Sequence, residues 1–237
     1  MGYGYYGFFY DSTYILVLIG VVITLFASAR VNSTFRRFSN VAAQCGMSGA
    51  EVARQILHSQ GLYDVSVEHI SGELTDHFDP RSKRVRLSDA VYASRSLAAI
   101  SVAAHECGHA CQHDEEYFPL KLRSAIVPVA NFGSKLGLPI IIAGVILSYF
   151  QPLITLGIVL FSFGVFFQLV TLPVEFDASR RALAILGDLG LVETQEMSGA
   201  KKVLSAAAMT YVASAAAAIL QLLRLILLFG GRRRDRD

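Results

Sequence analysis

Residues 105–109 read His-Glu-Cys-Gly-His, and the rest of the fold has to place these five residues on one helix. On an α-helix, positions four apart lie one turn apart on nearly the same face, so His105 and His109 can reach one ion. Glu106 lies on the adjoining flank of that helix. The spacing predicts a zinc site with two imidazole ligands, an open coordination position and Glu106 as the base that takes a proton from water.

The sequence around this motif predicts the helix that it needs. Residues 94–112 read SRSLAAISVAAHECGHACQ, a run of good helix formers with serines at its start and no proline. Apart from Glu106, the residues next to the two histidines are small and uncharged, which allows other elements to pack closely against the helix; they are Ala103, Ala104, Cys107, Gly108 and Ala110. An accidental match on a buried helix is the alternative. We expect one zinc ion here, provided that a third ligand exists.

The composition indicates a membrane protein. Of the 237 residues, 53% are hydrophobic and 17% are charged, whereas charged residues make up about a quarter of an ordinary soluble domain. The formal net charge is +2, and the basic residues are not interleaved with aromatic ones, which argues against a nucleic-acid partner. Two of the three cysteines lie on the motif helix, so no disulfide framework is expected and the thiols suit a reducing compartment.

The first transmembrane helix is predicted within residues 1–29. Residues 1–10 are rich in tyrosine and phenylalanine, as at a membrane interface, and residues 12–29 carry no charge and are long enough to cross as one helix. Arg30, Arg36 and Arg37 follow at once. Because basic residues favour the cytoplasmic side, the amino terminus is predicted outside and this helix is predicted to end in the cytoplasm.

Residues 30–135 form the polar part that carries the motif helix. Ser48 and Glu51 make a capping box before an amphipathic helix. Short strands are predicted at residues 65–70, 72–79 and 83–88, as a small β-hairpin region.

The last of these strands contains three basic residues whose role the sequence leaves open. Lys83, Arg84 and Arg86 would protect an exposed sheet edge, or they would form an ordinary solvated face. An open edge beside a metal site would alternatively accept an extended peptide as an added strand.

An apolar helical hairpin is predicted at residues 136–174. The run lacks charge and is almost twice as long as one span, with its best break at residues 150–152. The two spans are then residues 136–150 and 153–172. Since a hairpin returns the chain to the side it left, residues 175–202 are predicted as a cytoplasmic helix.

The carboxy-terminal run, residues 203–237, has two possible arrangements. Residues 203–223 are alanine-rich and uncharged, followed by Arg224 and a basic tail. A further crossing would place that tail outside, against the charge rule, whereas the alanines would also allow a helix packed on the domain. The sequence leaves these alternatives open.

A third zinc ligand must come from outside the motif helix. His113 lies eight residues beyond His105, about 12 Å along the axis, which is too far for a shared ion. Cys107 and Cys111 face away from the histidines. Glu175 is the first charged residue after the hairpin and is a candidate ligand. Its alternative role is that of an acidic residue in a first helical turn, stabilised by the helix dipole.

Several stretches of the chain resemble a known family. HECGHACQ, preceded by DHFDPRSKRVRLSDAVYA and followed after the hairpin by LPVEFDASRRAL, resembles the bacterial YugP-type neutral zinc metallopeptidases, which are integral membrane proteins. The order of motif, membrane hairpin and glutamate helix is also similar to the HtpX-like and CaaX-protease-like membrane gluzincins. This resemblance implies His105, His109 and Glu175 as zinc ligands and Glu106 as the catalytic base.

The resemblance also directs attention to residues around the ligands. In the distant relatives an aspartate follows the ligand glutamate by four positions, where this chain has Ser179, and the nearest acid is Asp177. Either residue is a candidate to support a histidine ligand through a hydrogen bond. Candidate donors to the oxyanion of the reaction are His77, Arg180 and Tyr211, among which the sequence does not choose.

Together these observations predict a mainly α-helical membrane protein with a zincin-like α+β catalytic domain in the cytoplasm. The predicted function is that of a zinc-dependent endopeptidase of the bacterial cytoplasmic membrane, acting on peptide or protein substrates. Two alternatives are a non-catalytic membrane scaffold stabilised by zinc and a protease with its motif inside a crossing helix. The second alternative is disfavoured because charged residues bracket the motif helix closely.

Overall fold

The protein is mainly helical in a computed structural model, which describes residues 11–230. The predicted aromatic interface at residues 1–10 and the basic tail at residues 231–237 lie outside the described residues. In chain order the elements are α1 (Tyr14–Ser39), α2 (Gly49–Ser59), β1 (Ser66–His69), β2 (His77–Asp79), β3 (Arg84–Leu87), α3 (Leu97–Asp114), α4 (Phe118–Ile146), α5 (Gln151–Asp188) and α6 (Thr194–Phe229).

Four helices, α1, α4, α5 and α6, are long and apolar enough to cross a membrane. This agrees with a membrane protein, and it shows that the uncharged run at residues 203–223 belongs to one long helix that continues through Arg224. Helix α3, which carries the motif, is not one of the four candidate spans found in residues 11–230. A protease with its motif inside a crossing helix is therefore not supported.

Helices α4 and α5 are separated by residues 147–150, which share only Phe150 with the predicted break at residues 150–152, and both helices are longer than predicted. Helix α4 begins at Phe118 rather than near residue 136, and α5 runs without interruption to Asp188. Pro173 lies inside α5, so neither this proline nor the change to polar sequence ends the helix. Glu175 therefore lies in the interior of a helix, and its alternative role as a first-turn acid is wrong.

The chain divides into two compact units. Of the described residues, the first contains 11–27, 122–171 and 211–230. Within it, α4 and α5 approach so closely that a Cβ atom on Gly133 would lie 2.2 Å from the carbonyl oxygen of Leu160. Small residues at such contacts let apolar helices associate through their backbones. In the same unit, the buried guanidinium of Arg224 donates to Asp11 over 3.1 Å.

The second unit contains Ser28–Lys121 and Leu172–Thr210. Its hydrophobic core is built around α3, with apolar side chains from α2, β3, the end of α5 and the start of α6 packed together. The predicted capping box of Ser48 and Glu51 is present at the start of α2. Ser96 caps α3 by accepting a hydrogen bond from the backbone of Ala99, which fixes where the motif helix begins.

The three short strands form one mixed sheet in the order β1-β3-β2. Strands β2 and β3 are antiparallel, as a hairpin requires, while β1 and β3 are parallel. Strand β3 is consequently the central strand, so the expectation that its basic residues protect an open edge, or that this strand accepts a peptide, is wrong. Instead, Arg84 pairs with Glu68 over 2.7 Å and Arg86 with Asp79 over 3.1 Å.

Candidate metal centre

The two histidines of the motif lie side by side on α3. Their ring centroids are 4.7 Å apart and the ring planes are inclined by 80°. The side chains of His105 and His109 are 14% and 13% exposed, which leaves each largely shielded but still open to solvent on one side. This is the arrangement that the four-residue spacing predicts.

Helix α5 brings Glu175 to both histidines. Its Oε2 atom lies 3.3 Å from Nε2 of His105 and 3.6 Å from Nε2 of His109, and its side chain is 3% exposed. The ligand atoms of these three residues all lie within 4.8 Å of one another, and they form the one such group of His, Cys, Asp and Glu found among residues 11–230.

The distances between these atoms fit a tetrahedral zinc ion. With ligand bonds of 2.0–2.1 Å, neighbouring ligand atoms of a tetrahedral site are about 3.4 Å apart. The two distances to Glu175 lie close to that value. Two imidazoles and one carboxylate are also a ligand set used by catalytic zinc, which keeps a fourth position for water. The residues present therefore fit zinc.

The nitrogen atoms on the far side of each ring have hydrogen-bond partners. Nδ1 of His105 lies 3.2 Å from Oγ of Ser179, and Nδ1 of His109 lies 3.0 Å from Oε1 of Gln112. Such contacts orient histidine ligands, because a ring held at Nδ1 directs Nε2 toward the metal. Ser179, a candidate from the sequence, contacts a histidine directly.

Asp177, the other candidate, contacts no histidine ring in the described hydrogen bonds. Its carboxylate accepts from Nε2 of Gln112 over 2.9 Å, from Nε of Arg181 over 2.6 Å and from Arg180. Asp177 therefore reaches His109 only through Gln112. The motifs in the sequence do not single out Gln112, and the one signal for it is its position three residues after His109, on the same side of the helix.

A close contact between backbones joins the motif helix to α5. A Cβ atom on Gly108 would lie 2.6 Å from the carbonyl oxygen of Ala178, closer than side chains approach in practice. Ala178 stands between Asp177 and Ser179, so the absence of a side chain at Gly108 allows α3 to approach the residues that reach its histidines.

Glu106 is buried on α3, with 7% of its surface exposed. Among residues 11–230 its carboxylate has no hydrogen-bond or ion-pair partner in another side chain. Burial disfavours the charged form of His109, but hydrogen bonding to Glu175 and the charge of Glu106 outweigh it and raise the pKa of His109. The negative charges of Glu106 and Glu175 therefore favour a positive charge beside His109.

The three candidate oxyanion donors lie in different places. His77 is exposed on β2, with Nδ1 2.8 Å from the carbonyl oxygen of Thr75. The side chain of Arg180 is 77% exposed and is bound to Asp177. Tyr211 lies on α6, in the unit that does not contain the candidate metal ligands. The assignment of an oxyanion donor to any of them stays a prediction.

Comparison with known proteins also indicates zinc. The sequence profile of a family described as "Putative neutral zinc metallopeptidase" matches residues 13–230. The chain belongs to this family. It is similar to a protein of Bacillus subtilis (strain 168) named "Putative membrane protease YugP", with 50% identity over 214 residues, which cover 90% of this chain and 95% of that protein. No solved structure matches the chain.

Proposed function

We propose that this protein is a membrane-embedded zinc endopeptidase in which His105, His109 and Glu175 hold one zinc ion. The observation that carries the proposal is the meeting of two Nε2 atoms and one carboxylate oxygen at distances of 3.3 and 3.6 Å. The family membership supports zinc and peptide hydrolysis, and the four apolar helices support a place in the membrane.

The proposed chemistry uses Glu106 as the general base. When bound, zinc makes a water molecule more acidic and polarises the carbonyl group of the substrate. A carboxylate oxygen of Glu106 takes the proton of that water and later passes it to the nitrogen of the leaving amine. Ser179 and Gln112 hold the outer nitrogens of the two histidines, so that both rings keep their orientation during the reaction.

The proposed site faces the cytoplasm. Arg30, Arg36 and Arg37 stand at the carboxy-terminal part of α1, and basic residues near the ends of spans favour the cytoplasmic side. If α4 and α5 each cross once, residues 28–121 and 172–210 lie on the same side of the membrane. The free cysteines agree with that compartment.

A substitution at Glu106 tests the proposed reaction. In Glu106→Gln the three ligands remain and the base is lost, so we expect zinc content to stay normal and peptide cleavage to fall by about 10²–10⁴-fold. Glu116→Gln is the matched control, because Glu116 is an exposed carboxylate just after α3 that pairs with Lys121.

Two results would contradict the proposal. Normal peptide cleavage by purified Glu106→Gln protein would exclude Glu106 as the base. Stoichiometric zinc in the unmodified protein, without turnover of any peptide or membrane-protein substrate, would favour a scaffold stabilised by zinc. Metal analysis and a cleavage assay on the same preparation separate these outcomes.

A further inference from the structure

Gln112 is a buried polar side chain in direct contact with a candidate zinc ligand. It lies on α3 and is 0% exposed. Its Nε2 atom donates to the carbonyl oxygen of Val174 over 2.8 Å and to Oδ2 of Asp177 over 2.9 Å, while its Oε1 atom lies 3.0 Å from Nδ1 of His109. Every polar atom of this amide is thus engaged.

These partners allow only one orientation of the amide. A backbone carbonyl can only accept a hydrogen bond, and so can an ionised carboxylate. Asp177 is held as a carboxylate by the guanidinium groups of Arg180 and Arg181. The NH₂ group of Gln112 must therefore point toward Val174 and Asp177, and its oxygen must point toward His109.

The orientation of the amide determines which nitrogen of His109 carries a proton. Because Oε1 of Gln112 can only accept, the hydrogen bond between them requires a proton on Nδ1 of His109. In the neutral imidazole the lone pair is then on Nε2, the atom that lies 3.6 Å from Glu175. This is the form in which a histidine binds a metal through Nε2.

The partner of the other histidine does not impose the same restriction. A serine hydroxyl can donate or accept, so the contact between Ser179 and Nδ1 of His105 is compatible with either tautomer. Gln112 therefore fixes the tautomer of His109, whereas Ser179 leaves the tautomer of His105 open.

We infer that Gln112 is a positioning residue that presents His109 to the metal in one orientation and one tautomer, with Nδ1–H directed to Gln112 and Nε2 directed to the site. This inference rests on the proposed function, because it takes zinc as the ion that the site binds. Gln112 acts only through His109 and is not itself placed against the substrate.

Three variants of the full-length protein in detergent test this inference. Gln112→Met removes the acceptor while filling a similar volume, and its loss leaves Asp177 still paired with two arginines. Gln112→Glu keeps an oxygen that can accept from Nδ1 but has no amide donor. Ser101→Ala is the control, since Ser101 is also 0% exposed on α3 and its hydroxyl donates only to the backbone of Leu97.

The measurements are zinc affinity, by competition with a chelator, and the tautomers of ¹⁵N-labelled histidine rings, by long-range ¹H–¹⁵N correlation. For Gln112→Met we expect an about 10- to 100-fold loss of zinc affinity. In the zinc-free protein we also expect the Nδ1–H form of His109 to be lost as the single species, whereas zinc bound to Nε2 would itself impose that form. Gln112→Glu is expected to keep that form and to bind zinc more tightly than Gln112→Met, and Ser101→Ala is expected to match the unmodified protein.

The possible results separate this inference from the proposed function. If Gln112→Met binds zinc as tightly as the unmodified protein, or if Gln112→Glu is as impaired as Gln112→Met, Gln112 does not act as an acceptor for His109 and the inference is overturned. If the unmodified protein does not bind zinc, or if its zinc survives His109→Ala, the proposed metal site itself fails.

Discussion

The contact between Gly108 and Ala178 leads to a quantitative prediction for Gly108→Ala. The added Cβ atom would lie 2.6 Å from the carbonyl oxygen and 3.2 Å from the carbonyl carbon of Ala178. Ordinary non-bonded contacts begin at a little over 3 Å, so α3 and α5 would have to separate by roughly 0.6 Å. Both neighbours are backbone atoms inside a helix and cannot rotate away.

That separation acts directly on the metal centre. His105 and His109 lie on α3, whereas Glu175 and Ser179 lie on α5, and the distances that make the site fit zinc are 3.3 and 3.6 Å. We expect overpacking to lower the free energy of unfolding by about 1–3 kcal/mol. We also expect zinc affinity to fall about 10- to 100-fold, since the ligands and the groups that support them move together.

Thermal unfolding in detergent, with and without zinc, and chelator competition measure the two effects. Gly187→Ala is the matched control, because Gly187 also lies in α5 but its added Cβ atom would meet only the flexible end of Met197 at 3.3 Å. Alanine is the better helix former, so this control should be neutral or stabilised by up to about 1 kcal/mol. If Gly108→Ala unfolds at the same temperature and binds zinc equally well, the close approach of α3 and α5 is not required for the site.

Three further predictions concern the ligand set, the thiols and the apolar unit. Glu175→Gln should lose zinc on dialysis, and the rise in unfolding temperature on adding zinc should disappear with it, because a bound ligand stabilises only a protein that binds it. A maleimide should label half-buried Cys45 in the native protein, whereas the thiol of Cys107, which is 0% exposed, should react only after denaturation. Arg224→Met should destabilise the protein by about 3–5 kcal/mol, since it leaves the charge of Asp11 without its buried partner.

Each of these predictions has a result that would contradict it. Zinc that survives dialysis in Glu175→Gln would remove Glu175 from the ligand set, with Glu193→Gln, outside the metal cluster, as the control. Equal labelling rates for Cys45 and Cys107 would mean that the core around α3 opens readily. If Asp11→Asn does not recover part of the stability lost in Arg224→Met, the ion pair is not the cause of that loss.

Local sequence signals were sufficient for the motif helix, whereas the third candidate ligand needed the family resemblance as well. Good helix formers follow Ser96, and the structure has this serine as the cap of α3. Glu175 was singled out as the first charge after an apolar run, and α5 places it against both histidines. The motif helix depends on features within a few turns of the chain, and Glu175 depends on the end of an apolar run together with the resemblance to a known family.

The strand order and the continuity of α5 were not predictable in the same way. Strand β1 pairs in parallel with β3, and this pairing joins segments whose own sequences indicate only that each is extended. At Pro173 the sequence changes from apolar to polar, which favours a boundary, but the helix continues through this proline to Asp188. The change in polarity at Pro173 therefore does not mark an end of the helical backbone.

Gln112 was missed because its meaning depends on distant residues. A single glutamine in an alanine-rich helix is ordinary in sequence, and its donors reach Val174 and Asp177, which are 62 and 65 positions away. Only the close contact of α3 with α5 makes these groups neighbours. Ser179 is a candidate through the family resemblance, which does not identify the histidine that it contacts, His105.

The second unit is assembled from two separate stretches of chain, Ser28–Lys121 and Leu172–Thr210. No single truncation can therefore release this unit as a fragment. A fragment that ends after the motif helix lacks Glu175, Asp177 and Ser179, and a fragment that begins at residue 172 lacks both histidines. A soluble version would require the apolar segment 122–171 to be replaced by a linker that rejoins the two stretches. Production of this protein for biochemical work should accordingly begin with the intact chain in detergent or lipid.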